Sequence, residues 1–426
     1  MVTQSRRVQF MSLRRRPLVA LFLLSGLVAC NGGSNDSTPD STPQVSTTAA
    51  PPASDGVFRI GLLVPQTGPG DDSNGSLTQV ATDAINIINA SGGVLGQDIE
   101  LVIRDEGSDS ATALSSVDDF ISEDRIDALI GPMSSPIALS VLPRLVENKI
   151  GSCSPTATAV SLASFPDNGL FVRTTASDIL ASEAMAQLIE QTGVIETLVA
   201  YPDDPFGRAF VAEVRRSLAV QGIAVVNEVA YDTTTSDVAS IATQLTENPN
   251  SVITLIGDSE SGGRLLNGLL DTKSLNKIVV NDAISQADLS SNTNLDSELR
   301  RKIVGVAIDA FAGADSADSN SVPAFSAAIT DCVNLLALAA IASQSDVAEV
   351  FMTQVPVISR GGSGCNLFED CLALLQQSLN IDYNGVTGLL DLDPNGDPSR
   401  AEFVTFGFDN QGNSEFTGRI SVVASP

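Results

Sequence analysis

The sequence predicts an α/β protein of two lobes, each built on a mostly parallel central sheet. From Val57 to Ile308, short β-branched runs alternate with amphipathic segments of helical period, which is typical of parallel strands joined by right-handed helical crossovers. Apolar residues are continuous along several strands, as at 252–256, which indicates sheets covered on both faces. Eight such strands are more than an open sheet usually contains, so two sheets are expected.

The individual elements follow from the period of the apolar residues. One helix is predicted to begin at Ser135 and another to run from Leu180 to Ile189, because their apolar residues recur at helical spacing. The predicted strands are 57–64, 98–104, 127–130, 196–200, 223–230, 252–256, 277–280 and 303–308. In the last third, helical segments at about 322–352 and at 367–379 precede strand-like segments at 386–392, 402–408 and 415–423, with a turn at 409–412. This order predicts that the chain returns to complete one lobe and then the other.

The first thirty residues have the parts of a secretory signal. A basic cluster at 14–16 precedes an apolar run from Leu18 to Val28, which is too short to span a bilayer. Cys30 closes Leu27-Val28-Ala29-Cys30, a tetrapeptide that resembles the bacterial lipobox and predicts lipidation of Cys30; an ordinary signal peptide with a chance Cys is the alternative. Residues 31–56 are rich in Ser, Thr, Pro and Gly and predict a disordered tether.

The composition excludes several functions. The chain has 51 Asp and Glu against 23 Lys and Arg, and its net charge of −28 repels nucleic acids and anionic lipid headgroups. It contains no His, which removes Ser-His-Asp and Cys-His catalysis and the commonest metal ligand. The segment Gly257–Gly262 is like a serine-protease nucleophile loop but has no His to activate its Ser, and no phosphate-binding P-loop occurs. We therefore expect no enzyme, no cofactor and no metal site.

Four cysteines remain after Cys30. Cys365 and Cys371 flank a short polar loop, and an exported protein would oxidise them, so they are predicted to form a disulfide. Cys153 and Cys332 either pair with each other or are buried thiols, and the sequence analysis favours thiols.

Two hydroxyl-rich turns are candidate ligand contacts. In open α/β sheets, ligands bind beyond the carboxyl ends of strands, beside helix N-termini. At 130–136, Ser135 is the predicted N-cap and Pro136 the first helical residue, so amide donors and hydroxyls collect at a site suited to a carboxylate; simple capping is the alternative. The second turn, at 152–159, follows an apolar stretch.

Three further strand ends carry candidate residues. Phe206 lies at the start of a helix that Asp204 and Pro205 are predicted to open. Asp258 and Asp282 each follow a predicted strand. Either acid could hold a ligand ammonium or cap a helix.

Together these segments resemble the type I periplasmic binding proteins, in the branch of branched-chain amino-acid binding lipoproteins that serve ABC importers. The resemblance is carried, in the family's order, by Arg59–Gly68, Ile88–Gly96, Gly131–Pro136, Thr156–Thr158, Arg173–Asp178 and Asp203–Gly207, and the Cys365/Cys371 pair and Asp382–Gly388 match a bacterial subset. It covers nearly all of 57–426 and implies two Rossmann-like lobes with parallel central sheets joined by a three-crossing hinge. Lobe one would be 57–176 and 309–385, and lobe two 177–308 and 386–426.

The resemblance also implies roles for individual residues. The hydroxyls of Ser135 and Thr158 would hold an α-carboxylate, the carbonyl of Thr156 would face the ammonium, and Phe206 would cover the ligand. Asp258 stands where the family often has an aromatic residue, and Asp282 stands near the family's ammonium-binding Glu. The predicted ligand contacts are Ser134, Ser135, Thr156, Ala157, Thr158, Phe206, Asp258 and Asp282.

The segment from Asp391 to Glu402 fits the calcium-loop pattern of an EF-hand. An EF-hand loop lies between two helices, whereas β-type segments flank this one and Pro394-Asn395-Gly396 favours a tight turn. These features favour a hairpin over a calcium site.

The resemblance implies a monomeric, extracytoplasmic receptor that is lipid-anchored to a bacterial membrane, on the periplasmic side or at the cell surface. It would close over a small amino acid or related metabolite and deliver it to an ABC permease. The alternative is a ligand sensor of the same fold that acts on a signalling partner.

Overall fold

The computed structural model describes residues 54–68, 74–292, 294–309, 325–388 and 390–424. The predicted signal peptide, Cys30 and residues 31–53 of the predicted tether lie outside the described residues.

The first half of the chain forms a five-stranded sheet in which every neighbouring pair is parallel, in the order β2-β1-β3-β4-β5. Its elements are β1 Arg59–Val64, α1 Asn74–Ala90, β2 Glu100–Asp105, α2 Ser110–Asp119, β3 Ala128–Ile130, α3 Ser135–Glu147, β4 Gly151–Ser154 and β5 Phe171–Arg173, with a π-helical turn at Phe120–Asp124 and a 3₁₀ turn at Val160–Leu162. Buried apolar clusters cover both faces of this sheet, as the continuous apolar strands predict.

The middle of the chain builds most of a second, seven-stranded sheet. Its elements are α4 Asp178–Glu190, β6 Glu196–Pro202, α5 Pro205–Val220, β7 Ala224–Tyr231, α6 Val238–Leu245, β8 Val252–Leu255, α7 Ser261–Asp271, β9 Ile278–Val280, α8 Ser297–Arg300 and β10 Ile303–Ile308, with a 3₁₀ helix at Asp282–Gln286. Strands β6 to β10 pair in parallel, in the order β10-β9-β8-β6-β7. Two further buried clusters cover the faces of this sheet.

The last third returns to each lobe in turn. Its elements are α9 Ser326–Ser343, α10 Ala348–Phe351, α11 Val355–Ile358, β11 Ser363–Cys365, α12 Phe368–Gln376, β12 Ile381–Tyr383, β13 Arg400–Phe408 and β14 Ser414–Val423. Helices α9 to α12 pack into the core of the first sheet, whereas β13 and β14 extend the second sheet as an antiparallel pair. The predicted strands at 402–408 and 415–423 and the turn between them are thus confirmed, and the exact lobe boundaries stay a prediction.

Helix α9 is the one helix of the described residues that is long and apolar enough to cross a membrane. Its window has a mean hydropathy of 1.6, but 72% of it is buried inside the protein. Its apolar side chains belong to the core of the first lobe.

The predicted strand at 386–392 is wrong. The backbone N–H groups of Val386 and Thr387 donate to the buried carboxylate of Asp331 at 2.7 and 3.0 Å, so they are not available to a sheet. Gly385 precedes them with a φ of +76°, and a Cβ there would lie 2.7 Å from an Asp331 oxygen. A side chain on α9 thus holds a turn where the apolar pattern predicts a strand.

Both cysteine pairs form disulfides. Cys365–Cys371 confirms the prediction from its spacing. The preference for thiols at Cys153 and Cys332 is wrong, because these residues are bonded across 179 positions with their Cα atoms 5.6 Å apart. The pairing depends on α9 packing against β4, a contact that residue spacing does not reveal.

Candidate ligand-binding cleft

The turn between β3 and α3 differs from its prediction in one respect. The N-cap of α3 is Ser134, which makes no side-chain capping bond, and Ser135 is already helical. The backbone N–H of Met133 donates to the buried carboxyl of Glu106 at 2.8 Å, and the Ser134 hydroxyl lies within hydrogen-bonding reach of the same group. Burial raises the pKa of Glu106 to about 7. The buried carboxyl of Glu106 therefore occupies some of the hydrogen-bond donors at the start of α3.

Ser135 joins the two hydroxyl-rich turns. Its hydroxyl oxygen accepts hydrogen bonds from the backbone N–H groups of Thr158 and Ala159, both at 3.0 Å. A hydroxyl has two acceptor lone pairs and one proton, so Ser135 can still donate that proton to a ligand. The structure thus brings together two residues that lie 23 positions apart.

Thr156 and Ala157 hold the second turn against the first. The Thr156 hydroxyl donates to the carbonyl oxygen of Met133 at 2.6 Å, and the Ala157 N–H donates to the Ser154 hydroxyl at 3.0 Å. The carbonyls of Ala157, Thr158 and Ala159 each accept a hydrogen bond from the protein. Within the described residues, no donor of the protein reaches the Thr156 carbonyl, which leaves it as an acceptor for a ligand.

Asp178, at the start of α4, is a member of this site that the sequence analysis missed. Its backbone N–H donates to the Thr158 carbonyl at 2.8 Å, and the Thr158 hydroxyl lies within hydrogen-bonding reach of its carboxyl. Asp178 is only 7% exposed, and burial together with the charge of Asp282 raises its pKa to about 7. The motif Arg173–Asp178 is the signal that could have identified it.

Asp282 faces the same region from the second lobe. It opens the 3₁₀ helix after β9 and accepts a hydrogen bond from the Ala283 N–H at 2.8 Å. Burial raises its pKa. Its charge is one of the causes that raise the pKa of Asp178, so the two carboxyls are coupled electrostatically, and a contact of Asp282 with a ligand stays a prediction.

Phe206 lies at the first turn of α5, where Asp204 is the N-cap and accepts from the Gly207 N–H at 2.7 Å. Its side chain is 39% exposed, and its ring centroid is 5.7 Å from that of Phe210. Helix α5 contacts the 3₁₀ turn Val160–Leu162 of the first lobe. The helix that carries Phe206 therefore lies against the first lobe, and the contact of Phe206 with a ligand stays a prediction.

Asp258 has a different environment. Its carboxylate accepts hydrogen bonds from the Glu260 N–H at 2.8 Å and from both the N–H and the hydroxyl of Ser261, the latter at 2.9 Å. These bonds hold the start of α7. These bonds are of the kind that the capping alternative describes, and a contact of Asp258 with a ligand stays a prediction.

Two cavities lie away from these residues. One of about 780 Å³ is bounded by α10, α11 and the turn at 394–396, and one of about 520 Å³ lies where the chain passes between lobes, beside Thr175 and Arg400. None of the predicted ligand contacts lines either cavity. Within the described residues, no group of three or more Asp, Glu, Cys or His is placed to hold a metal ion.

The family follows from a match that covers just over half of the chain. A sequence model described as periplasmic binding protein matches residues 57–273. The chain belongs to the periplasmic binding protein family. This family consists of extracytoplasmic solute-binding receptors and not of enzymes.

Two curated relatives of this periplasmic binding protein show its similarity in sequence. The Leu/Ile/Val-binding protein BraC3 of Rhizobium johnstonii is 26% identical over 248 residues, which cover 57% of this chain and 66% of BraC3, just under two thirds of its length. The chemotactic signal transduction system substrate-binding protein BasB of Halobacterium salinarum is 24% identical over 356 residues, covering 78% of this chain and 83% of BasB.

Solved structures show the same fold. An ABC transporter substrate-binding protein from Desulfitobacterium hafniense, in complex with Leu, superposes with a TM-score of 0.65 at 17% identity, over 84% of this chain and 99% of that one. At this identity the likeness shows the fold alone, which is the predicted periplasmic binding protein type I fold with two lobes.

Proposed function

We propose that this protein is an extracytoplasmic receptor that closes over a small amino acid and delivers it to an ABC permease. The observation that carries the proposal is the meeting of Ser135, Thr158 and Asp178, which combine hydroxyl donors for a carboxylate with a carboxyl acceptor for an ammonium. The names of BraC3 and of the Desulfitobacterium hafniense protein, which bind Leu/Ile/Val and Leu respectively, support an amino acid as the solute class.

The proposed contacts divide between the two ends of the ligand. Ser135 would donate its hydroxyl proton to the α-carboxylate, with Ser134 beside it, and Thr158 would do the same after its hydroxyl leaves Asp178. The carbonyl of Thr156 and the carboxyls of Asp178 and Asp282 would accept from the ammonium. Ser134, Ser135, Thr156 and Thr158 belong to the two turns that include Ala157, and together with the two carboxyls they would match the head group common to free amino acids.

Closure of the lobes would follow from contacts made on both sides of the cleft. The ligand first binds the turns of the first lobe and then contacts Phe206 and Asp282 of the second lobe, so that it binds the closed state more tightly than the open one. Asp258 would act indirectly by holding the start of α7. We propose that the receptor acts as a monomer on a lipid anchor at Cys30.

The proposal is tested by screening the purified protein against the free amino acids by thermal shift and by measuring each positive by calorimetry. A ligand at a hundred times its Kd stabilises the folded state by about 2.7 kcal/mol, which gives a clear rise in Tm. Mass spectrometry of small molecules that copurify with the protein provides an independent identification. No rise in Tm with any amino acid, together with a copurified ligand that lacks an ammonium group, would contradict the proposal.

A second function, ligand sensing, is favoured by the similarity to BasB, which is named as part of a chemotactic system. The two functions differ in the partner that the closed receptor meets, which is a permease in delivery and a signalling protein in sensing. Uptake of the radiolabelled amino acid in a strain that lacks this gene distinguishes them. Loss of uptake supports delivery, whereas unchanged uptake with an altered behavioural response supports sensing.

A further inference from the structure

Arg173 is the largest fully buried side chain of the described residues, and it forms a two-pronged ion pair with Asp397. Its Nε donates to one carboxylate oxygen of Asp397 at 2.6 Å, and its Nη2 donates to the other at 2.7 Å. The remaining nitrogen, Nη1, donates to the carbonyl oxygens of Ala157 and Ala159, both at 3.2 Å. A planar guanidinium can make this set of bonds because its donors point in fixed directions.

These bonds hold residues 156–159, here named the ligand loop, from the carbonyl side. Ser135 holds the same loop from the amide side, through the N–H groups of Thr158 and Ala159. Thr158 therefore lies between two points of attachment, the Ser135 hydroxyl and the Arg173 guanidinium. Both sets of bonds are made to backbone atoms beside the Thr158 side chain.

Asp397 is itself fixed by a tight turn at 393–397. The Asp393 carboxylate accepts from the N–H groups of Asn395 and Asp397 at 2.8 and 3.0 Å. The Gly396 carbonyl accepts from the Arg173 N–H at 3.0 Å, and Gly396 has a φ of +81° at a point where a Cβ would lie 2.5 Å from the Phe171 carbonyl oxygen. The segment that fits a calcium-loop pattern thus uses its acidic side chains within the protein.

Arg173 and Asp397 each lie next to a segment in which the chain crosses from one lobe to the other. Arg173 ends β5, directly before the chain passes to α4 of the second lobe. Asp397 lies three residues before β13, which belongs to the second sheet. The Arg173–Asp397 ion pair therefore joins the first and the last of these crossing segments, and it also holds the ligand loop.

We propose that Arg173 and Asp397 are positioning residues for the ligand loop, and that the turn at 393–397 exists to present Asp397 to Arg173. Without the Asp397 carboxylate, a buried guanidinium loses its counter-charge and must find other acceptors or water. Its bonds to Ala157 and Ala159 then weaken, and the loop gains mobility. The part of this inference that concerns amino-acid affinity rests on the proposed function, whereas the part that concerns the loop does not.

The primary test measures amide hydrogen exchange of the ligand loop in unliganded protein. Asp397→Asn keeps the size of the side chain and removes its charge. We expect the Thr158 and Ala159 amides to exchange roughly tenfold faster than in the wild type, because local opening governs their exchange. Asp397→Glu, which restores the carboxylate one methylene further out, should return the exchange rate towards that of the wild type.

Leu245→Ala is the control for general destabilisation, because Leu245 is fully buried in the second lobe, in a different apolar cluster from the ligand loop. It should lower the Tm without accelerating exchange in the ligand loop. Unchanged exchange of the loop in Asp397→Asn, or equal acceleration in Leu245→Ala, would overturn the proposal. If Asp397→Asn does not fold, Arg173→Lys replaces it, because it keeps the positive charge but lacks the Nη1 donor to the Ala157 and Ala159 carbonyls: faster exchange of the ligand loop than in Leu245→Ala supports the proposal, and equal exchange overturns it.

The second measurement is calorimetry with L-leucine and L-isoleucine. Asp397→Asn should weaken binding about tenfold or more, and Leu245→Ala should leave it within about twofold of the wild type. If the wild-type protein binds neither these nor any other free amino acid, the proposed function fails while the exchange experiment still decides the role of Asp397. If the wild type binds leucine and Asp397→Asn binds it equally well, the positioning role fails and the proposed function stands.

Discussion

The hydroxyl oxygen of Ser135 accepts a hydrogen bond of 3.0 Å from the backbone N–H of Thr158. This bond connects the first turn of α3 to the ligand loop and gives Ser135 a structural role besides its proposed contact with a carboxylate. Thr158 has a second attachment, since its carbonyl accepts from the Asp178 N–H at 2.8 Å. A substitution at Ser135 therefore tests both ligand binding and the stability of the ligand loop, whereas a substitution of the Thr158 side chain tests ligand binding.

Thr158→Val should weaken amino-acid binding by roughly ten- to a hundredfold, because a hydrogen bond to a charged group contributes about 1.5–3 kcal/mol. Valine keeps the shape of threonine and leaves the backbone bonds of residue 158 in place, so the Tm of the unliganded protein should fall by no more than a few degrees. Thr158→Ser, which retains the hydroxyl, is the matched control. Calorimetry measures the affinities, and equal binding by the valine variant and the wild type would place the site elsewhere.

Ser135→Ala should lower both affinity and stability. It removes the proposed donor to the ligand and also leaves two backbone N–H groups of the ligand loop without their acceptor, at a cost of about 1–3 kcal/mol. Denaturant unfolding of the unliganded protein measures the second effect. A variant as stable as the wild type would show that water replaces the hydroxyl oxygen at no cost.

The two disulfides should contribute unequally to stability. Cys153–Cys332 closes a separation of 179 residues and Cys365–Cys371 a separation of 6, so the loop-entropy relation gives about 5 and about 2 kcal/mol respectively. Replacing each pair by alanines and comparing their denaturant unfolding tests this difference, each double variant serving as the control for the other. Equal losses, or free thiols at Cys153 and Cys332 in alkylation mass spectrometry of native material, would contradict it.

The pKa of Asp178 is raised to about 7 from an ordinary value of 3.8, which predicts the direction in which the stability of the protein changes with pH. The folded protein holds this proton up to about pH 7, whereas the unfolded chain loses it near pH 4. The contribution of Asp178 to the free energy of unfolding therefore falls as pH rises from about 4 to about 7, by roughly 2–4 kcal/mol.

The comparison of wild type with Asp178→Asn isolates this group from Glu106 and Asp127, whose pKa values burial also raises to about 7. The wild type should lose stability relative to the variant between about pH 4 and about pH 7. Parallel curves of Tm against pH for the two proteins would show that Asp178 does not titrate in this range.

Lipidation at Cys30 remains a prediction from the tetrapeptide Leu27-Val28-Ala29-Cys30. Cys30→Ser should abolish acylation and release the protein from the membrane fraction, because serine has no thiol to be modified. Mass spectrometry of the mature N-terminus identifies the acyl chains directly. The Cys365→Ala/Cys371→Ala variant, which keeps Cys30, should remain membrane-bound; identical fractionation of Cys30→Ser and wild type would disprove the anchor.

The sequence by itself determined the α/β class, the parallel strands and the turns that come after them, since all of these depend on local apolar period and on turn residues. It also sufficed for Cys365–Cys371, whose partners are near neighbours in the chain. It did not determine the Cys153–Cys332 bond, the Arg173–Asp397 ion pair or the turn that replaces the predicted strand at 386–392, because each depends on contacts between residues more than fifty positions apart. Asp178 belongs with these, since its raised pKa arises from burial and from the charge of Asp282, which only the tertiary fold brings to act on it.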